Sequence, residues 1–224
     1  MLCIIQARMG SKRLKGKMLM KIDRKSIIQH VIDKVKKIDS IHKIIIASTN
    51  SIDDDNLEKV CKLNNITIFR GSKNNVFDRF QKISIKNNYS TILRINGDSP
   101  LLDIKLFNKM IKISKNKKYD IFTNVQPRTF PQGQSFELIK RKILIDFDQK
   151  KLTKKHKEHV TSYFYENKSK YKIVNYSNSD NLGNINLSIN NKNDLMNIKK
   201  IFYKYKSKTY NLDYLKMVEF LKNE

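Results

Sequence analysis

MLCIIQARMGSKRLKGKML, residues 1–19, is a short apolar run that stops abruptly and gives way to a segment dense in Gly, Ser, Arg and Lys. An apolar strand that delivers small and basic residues onto a loop is how α/β proteins hold the phosphates of a nucleotide. Gly10 and Gly16 would let the backbone approach a ligand closely. Arg8, Lys12, Arg13, Lys15 and Lys17 supply more positive charge than a tight turn requires. The spacing is neither that of a Walker P-loop nor that of a GxGxxG fingerprint, so both of those nucleotide-binding classes drop out. The competing reading is a solvated basic loop in a lysine-rich chain, and the rest of the sequence decides between the two.

Outward from this stretch, strands and helices alternate. Leu2–Gln6 reads as a buried strand. Ser26–Ile38 places Ile27, Ile28, Val31, Ile32, Val35 and Ile38 at the helical period, with Ser26 as a cap. His42–Ser48 is a second buried strand, and Asp53–Asn64 a helix whose acidic start suits its N-terminus. A short strand at Ile66–Phe69 and a helix at Val76–Asn87 follow. Thr91–Ile95 is a strand ending in Asn96-Gly97-Asp98-Ser99-Pro100, before a helix at Asp103–Ser114 and a strand at Tyr119–Asn124. This order implies right-handed βαβ units and an α/β fold with a single mostly parallel sheet, helices on both faces. Ligands of such sheets sit beyond the carboxyl ends of the strands. The basic loop, Ala47–Asn50, Phe69–Ser72 and Asn96–Pro100 should therefore converge on one site.

After about residue 124 the alternation weakens. Arg128–Gln134 is rich in turn residues; a strand is expected at Ser135–Ile139 and helices at Arg141–Gln149 and His156–Glu166. Strands near Tyr171–Tyr176 and at Ile185–Ile189, a helix over Asp194–Tyr205 and a last amphipathic helix at Leu212–Leu221 complete the chain. The expectation is one domain over residues 1–224, with a small inserted acceptor or dimerisation lobe at about 125–180, a C-terminal helix at 206–224, and a homodimer.

Lys and Arg number 46 against 21 Asp and Glu, a net charge of +25 that would ordinarily suggest a nucleic-acid partner. The lysines are spread along the whole chain, however, and accompany abundant Ile and Asn with few Pro and Gly. That is a compositional bias, not a basic face with interleaved aromatics, so no nucleic-acid partner is expected. No apolar run approaches about 18 residues and residue 1 is almost inside a strand, so the expectation is no membrane insertion and a cytoplasmic location. Cys3 and Cys61 lack metal-ligand spacing, and neither a disulfide framework nor a zinc site is suggested.

Five ordered stretches carry a resemblance: Ile4-Ile5-Gln6-Ala7-Arg8-Met9-Gly10-Ser11 with Arg13-Leu14 and Gly16-Lys17; Phe69-Arg70-Gly71-Ser72; Asn75-Val76-Phe77-Asp78-Arg79; Arg94-Ile95-Asn96-Gly97-Asp98-Ser99-Pro100-Leu101; and Glu158-His159-Val160-Thr161. Together they resemble the nucleotidyltransferases that include the CMP-KDO and CMP-sialate synthetases, and most closely the spore-coat polysaccharide cytidylyltransferase branch. The resemblance implies a nucleotide-diphospho-sugar transferase type of sheet. It also implies Mg²⁺-dependent transfer of CMP from CTP to a sugar acid for surface polysaccharide or glycan synthesis. Such chemistry needs the triphosphate held in line and charge neutralised on the leaving group.

By the same resemblance, Arg8, Gly10, Ser11, Arg13 and Lys17 would hold the triphosphate, with Arg13 and Lys17 acting in catalysis. Lys12 and Lys15 stand where the branch usually has Thr and Pro, and belong to the biased composition. Gln6, Ala7, Ser72, Asp78 and Arg79 would form the base and ribose pocket, and Asn96 would also bind the nucleotide; the bland reading of Asp78 and Arg79 is a helix-surface ion pair. Asp98 would bind Mg²⁺ at the reaction centre. Arg128, Gln134, Glu137, His159 and Thr161 would line the acceptor side.

The pattern breaks at two positions. Asn190 occupies the place of a second metal-binding Asp, removing one formal negative charge beside a hard cation, although its amide oxygen can still coordinate. Ser135 stands where the branch usually has Asp. Two alternatives follow: a nucleotide-binding relative with weak or silent chemistry, and a nucleotide-sugar-dependent glycosyltransferase. The latter would need a carboxylate pair after a strand, for which Asp53-Asp54-Asp55 is the only such run.

Overall fold

Leu2, Cys3, Ile4 and Ile5 are all fully buried, so the first strand, β1 (Leu2–Gln6), is covered on both faces and lies inside the sheet. The computed structural model describes residues 1–11 and 13–223, with Tyr210 described by its backbone alone; Lys12 lies outside the described residues. After β1 a 3₁₀ turn (Lys17–Leu19) leads into a small antiparallel hairpin, β2 (Lys21–Ile22) and β3 (Lys25–Ser26), that the sequence did not announce. Helix α1 (Ile27–Val35) starts with the expected cap: the Ser26 hydroxyl accepts from Gln29 N, and the Gln29 side chain accepts from Ser26 N.

The remaining elements are β4 (Lys43–Thr49), α2 (Asp55–Leu63), β5 (Thr67–Gly71), α3 (Val76–Ile85), β6 (Thr91–Asn96), α4 (Ile104–Lys115), β7 (Ile121–Thr123), β8 (Glu137–Lys140), α5 (Lys142–Ile145), α6 (Lys154–Glu158), α7 (Ser162–Glu166), β9 (Ile173–Asn175), α8 (Lys192–Tyr205) and α9 (Tyr214–Lys222). Seven strands form one sheet in the order β5-β4-β1-β6-β8-β7-β9. Only β8 runs antiparallel to its neighbours β6 and β7; β1 pairs in parallel with β4 on one side and β6 on the other. The chain thus winds outward from β1 through β4 to β5, then returns to place β6 on β1's other edge. That reversal opens a crevice at the carboxyl ends of β1 and β6, where Gln6 is in register with both Ala47 and Asn96.

Two apolar cores flank the sheet: Cys3, Ile5 and Ile95 face α1 and the C-terminal helices, while Leu2, Ile4 and Ile92 face α3 and the α5–α7 segment. Among the described residues no helix is long and apolar enough to cross a membrane.

Beyond residue 124 three expectations are corrected. The single helix at His156–Glu166 is two, because His159 adopts an extended backbone (φ −109°, ψ 91°) after α6. The helix at Arg141–Gln149 stops at Ile145; Asp148 then caps a separate 3₁₀ turn at Gln149–Lys151 by accepting from Lys150 N. Ile185–Ile189 forms no ladder, only one bridge between Gln132 and Asn186. There the Asn186 side chain accepts from Ser188 N at 2.9 Å and competes with strand pairing.

Candidate active site

The basic segment folds as a closed loop on a single carbonyl. Met9 O accepts from Ser11 N (2.8 Å) and Gly16 N (3.2 Å). Gly16 takes a left-handed conformation (φ 73°) that most side chains resist, and it starts the 3₁₀ turn carrying Lys17. Buried Leu14 anchors the tip. The loop's base is fixed by Asp54, whose carboxylate accepts from Met9 N (2.7 Å), Ser48 Oγ (2.8 Å) and Thr49 N (2.8 Å). Burial alone would raise the Asp54 pKa, but these hydrogen bonds outweigh it and hold the carboxyl below its usual value. Asp54, in the acidic run a glycosyltransferase would need as an open carboxylate pair, is therefore a buried tether.

A cleft of about 650 Å³ opens between this loop and the ends of β1 and β6. Gln6, Ala7, Arg8, Gly10, Ser11, Arg13, Lys17, Asn96, Asp98 and Asn190 all line it, so most of the expected nucleotide-binding set is brought together. Lys17 is almost buried; its ammonium donates to Asp98 Oδ2 (2.7 Å) and to Ile189 O (2.8 Å). Ile189 N in turn donates to Asp98 O at 2.9 Å, stitching the segment before α8 onto the loop after β6. Asn190 follows directly, and its Oδ1 accepts from Arg13 Nη2 at 3.2 Å. Arg8 lies 3.5 Å from Glu158, with both side chains exposed.

Asp98 and Asn190 offer one carboxylate and one amide oxygen to the same space. Among the described residues no group of three or more His, Cys, Asp or Glu could hold a metal. Such a hard-oxygen pair fits a divalent ion that arrives with phosphate oxygens and water, as Mg²⁺ commonly does, and does not amount to an all-protein cage.

On the base side the expected set divides. Arg79 is fully buried, and its Nη1 donates to Ser72 O at 2.6 Å. Its Nε and Nη2 have no partner among the described residues. Burial, with a smaller contribution from nearby Arg8, pushes its pKa down to about 10. Asp78 turns away from the cleft: it pairs with Lys82 one turn along α3 (2.9 Å) and accepts from Gln149 Nε2 at 3.3 Å. Ser72 contributes its carbonyl to Arg79, while the next residues, Lys73 and Asn74, line the cleft.

A second, smaller cavity of about 220 Å³ shares Asn96, Asp98 and Asn190 with the first and adds Arg128, Gln132, Gly133 and Ser135 among others. Arg128 Nη2 donates to Ser135 Oγ (3.1 Å), and its buried Nη1 has no partner among the described residues. The other four residues expected on the acceptor side line neither cavity. Gln134 is fully buried, accepting from Asp103 N (2.9 Å) and donating to Leu101 O (2.8 Å). Glu137 is buried in an ion pair with Arg94 and accepts from Thr161 Oγ1 (2.7 Å) and Tyr165 OH (2.6 Å). Thr161 is thereby turned inward, and His159, at the end of α6, is exposed and lines neither cavity.

Sequence reasoning missed Lys73, Asn74, Glu158 and Gln132 as lining residues. The first three sit within or next to stretches already quoted, so position in a motif was the available signal. A larger cavity of about 750 Å³ lies elsewhere, between the β2–β3 hairpin and the end of α8, and shares no residue with the cleft.

The family model for cytidylyltransferases matches residues 2–222. The spore coat polysaccharide biosynthesis protein SpsF of Bacillus subtilis is 30% identical over 91% of this chain and 86% of its own length. The solved structure of a cytidylyltransferase from Leptospira borgpetersenii superposes with a TM-score of 0.90 at 28% identity, over 99% of this chain and 93% of that one. CMP:2-keto-3-deoxy-manno-octonic acid synthetase, solved in complex with CTP, superposes with a TM-score of 0.70 over 91% of this chain and 98% of its own; at 13% identity it shows a shared fold. A crevice at the switch point of a mostly parallel sheet, walled by a basic loop, Asp98 and Glu158, is thus found in a chain that belongs to the cytidylyltransferase family.

Proposed function

We propose that this chain transfers CMP from CTP to a sugar acid, releasing pyrophosphate, in the synthesis of a surface polysaccharide or glycan. The observation that carries the reading is the convergence of Arg8, Arg13 and Lys17 with Asp98 and Asn190 in one cleft. An oxygen of the acceptor attacks the α-phosphorus, and the bond from that phosphorus to the pyrophosphate oxygen breaks. Arg8, Arg13 and Lys17 neutralise the charge that builds on the leaving pyrophosphate, from positions fixed before the reaction. Asp98 and Asn190 would hold Mg²⁺, which supplies further charge neutralisation on phosphate oxygens. The unpartnered Arg128 nitrogen beside the second cavity suits the carboxylate of a sugar acid.

Incubation with each nucleoside triphosphate, Mg²⁺ and a panel of sugar acids should release pyrophosphate with CTP and at least one acid. Release with no combination overturns the reading. Asn190, an amide in place of a carboxylate, favours one second reading, a nucleotide-binding relative without transfer. Tight CTP binding with no pyrophosphate under any condition would select it.

A further inference from the structure

Gln6 stands at the end of β1, and its side chain lies between the cleft and a buried ion pair. Arg94 Nη2 donates to Gln6 Oε1 at 3.2 Å. A guanidinium only donates, so the amide atom that faces it must be the carbonyl oxygen, whichever way the amide is first drawn. The Gln6 NH₂ is then turned from Arg94, and among the described residues no acceptor takes it.

Arg94 is itself held. It sits directly across the β6–β8 ladder from Glu137, whose carboxylate it pairs with. Glu137 is 3% exposed, and its other oxygen is filled by Thr161 and Tyr165 from α7 and the turn before it. Burial would raise the Glu137 pKa; the Arg94 charge and these hydroxyls hold it below the ordinary value, so the pair stays charged. An unanchored glutamine amide flips easily and reads donors and acceptors alike. This one has a single available face.

We infer that Arg94, anchored by Glu137, fixes the Gln6 amide so that its NH₂ faces the cleft, making Gln6 a donor that selects cytosine, whose N3 accepts, over uracil, whose N3 donates. The inference rests on the proposed CTP-dependent reading. Gln6 is the specificity-determining contact. Arg94 and Glu137 are positioning residues that act through it, and they tie base choice to the α7 segment.

The test is the ratio of CTP to UTP affinity, measured by calorimetry on the full chain. Wild type should prefer CTP. Gln6→Leu should cut that preference by about tenfold, the value of one hydrogen bond that is lost against one base only. Gln6→Glu, which cannot donate, should do the same or invert the preference. Glu137→Gln should lower the ratio in the same direction by loosening Arg94, whereas a merely structural loss weakens CTP and UTP equally. Gln6 lies at the cleft surface, so its variants report even where Glu137→Gln does not fold. An unchanged ratio in Gln6→Leu, with Arg13→Ala still weakening both nucleotides, overturns the inference and leaves the proposed function standing. Failure of wild type to bind any nucleotide brings down that reading and this inference with it.

Discussion

Lys17–Asp98 and Arg94–Glu137 are both cation–carboxylate pairs at the carboxyl-end half of the sheet, yet they do opposite work. Lys17 and Asp98 come from loops after β1 and β6 and line an open cleft, with the Ile189 carbonyl as a further partner of Lys17. Arg94 and Glu137 face each other within the β6–β8 ladder, and Thr161 and Tyr165 close over them. The first pair stands in the wall of an open cleft, where a ligand can reach it; the second is consumed in holding the segment after residue 125 to the sheet. A charged side chain at a strand end is available for chemistry, whereas one inside the ladder is spent on structure.

The comparison is tested most severely at Glu137. Glu137→Ala leaves Arg94 charged and buried without its partner, and chemical denaturation should show a loss of about 3–5 kcal/mol. A loss below about 1 kcal/mol would mean that the pair is not structural. Asp98→Asn should behave in the opposite way: turnover falls by about 10²-fold or more while the melting temperature stays near that of wild type. Asn190→Asp should lower the Mg²⁺ concentration needed for half-maximal turnover, because a second carboxylate strengthens a hard-cation site.

Lys34 extends the comparison to a cation spent on structure with a carbonyl partner. It is 1% exposed, donates to Thr209 O at 2.7 Å, and burial pushes its pKa from 10.5 down to about 8. Below pH 8 both folded and unfolded chains carry the proton, and the burial cost is fully present. Between about 8 and 10.5 the unfolded chain binds more protons, so this group's contribution makes stability rise with pH, by about 3 kcal/mol in all. That increment should vanish in Lys34→Met, as denaturant titrations at pH 7.5 and 10 would show. His159→Ala should do least: the side chain is exposed and lines neither cavity, so stability should move by less than about 0.5 kcal/mol. A large loss of turnover there would return His159 to the acceptor site.

The sheet was legible wherever strands are continuous apolar runs bounded by turns, as in residues 2–5 and 44–47. The cap at Ser26 was legible from residue type at a helix start. The cleft was legible too, because parallel strands deliver their loops to one edge. What the sequence did not reveal is which way a side chain points once strands turn antiparallel. Gln134, Glu137 and Thr161 have the residue types of a substrate site and became internal partners of backbone amides and Arg94. Asp78 followed its helix neighbour Lys82 in place of the cleft. Local hydrogen-bond competition, invisible to periodicity, dissolved the strand expected at Ile185–Ile189.

The central claim is that the loop after β1 holds the triphosphate, and the most direct measurement is CTP affinity by titration calorimetry for wild type, Arg13→Ala and Lys17→Ala. Loss of a charge-assisted hydrogen bond to phosphate should weaken binding by at least about tenfold in each variant. Wild-type affinity in both variants would contradict the account, because the cleft would then not be the phosphate site.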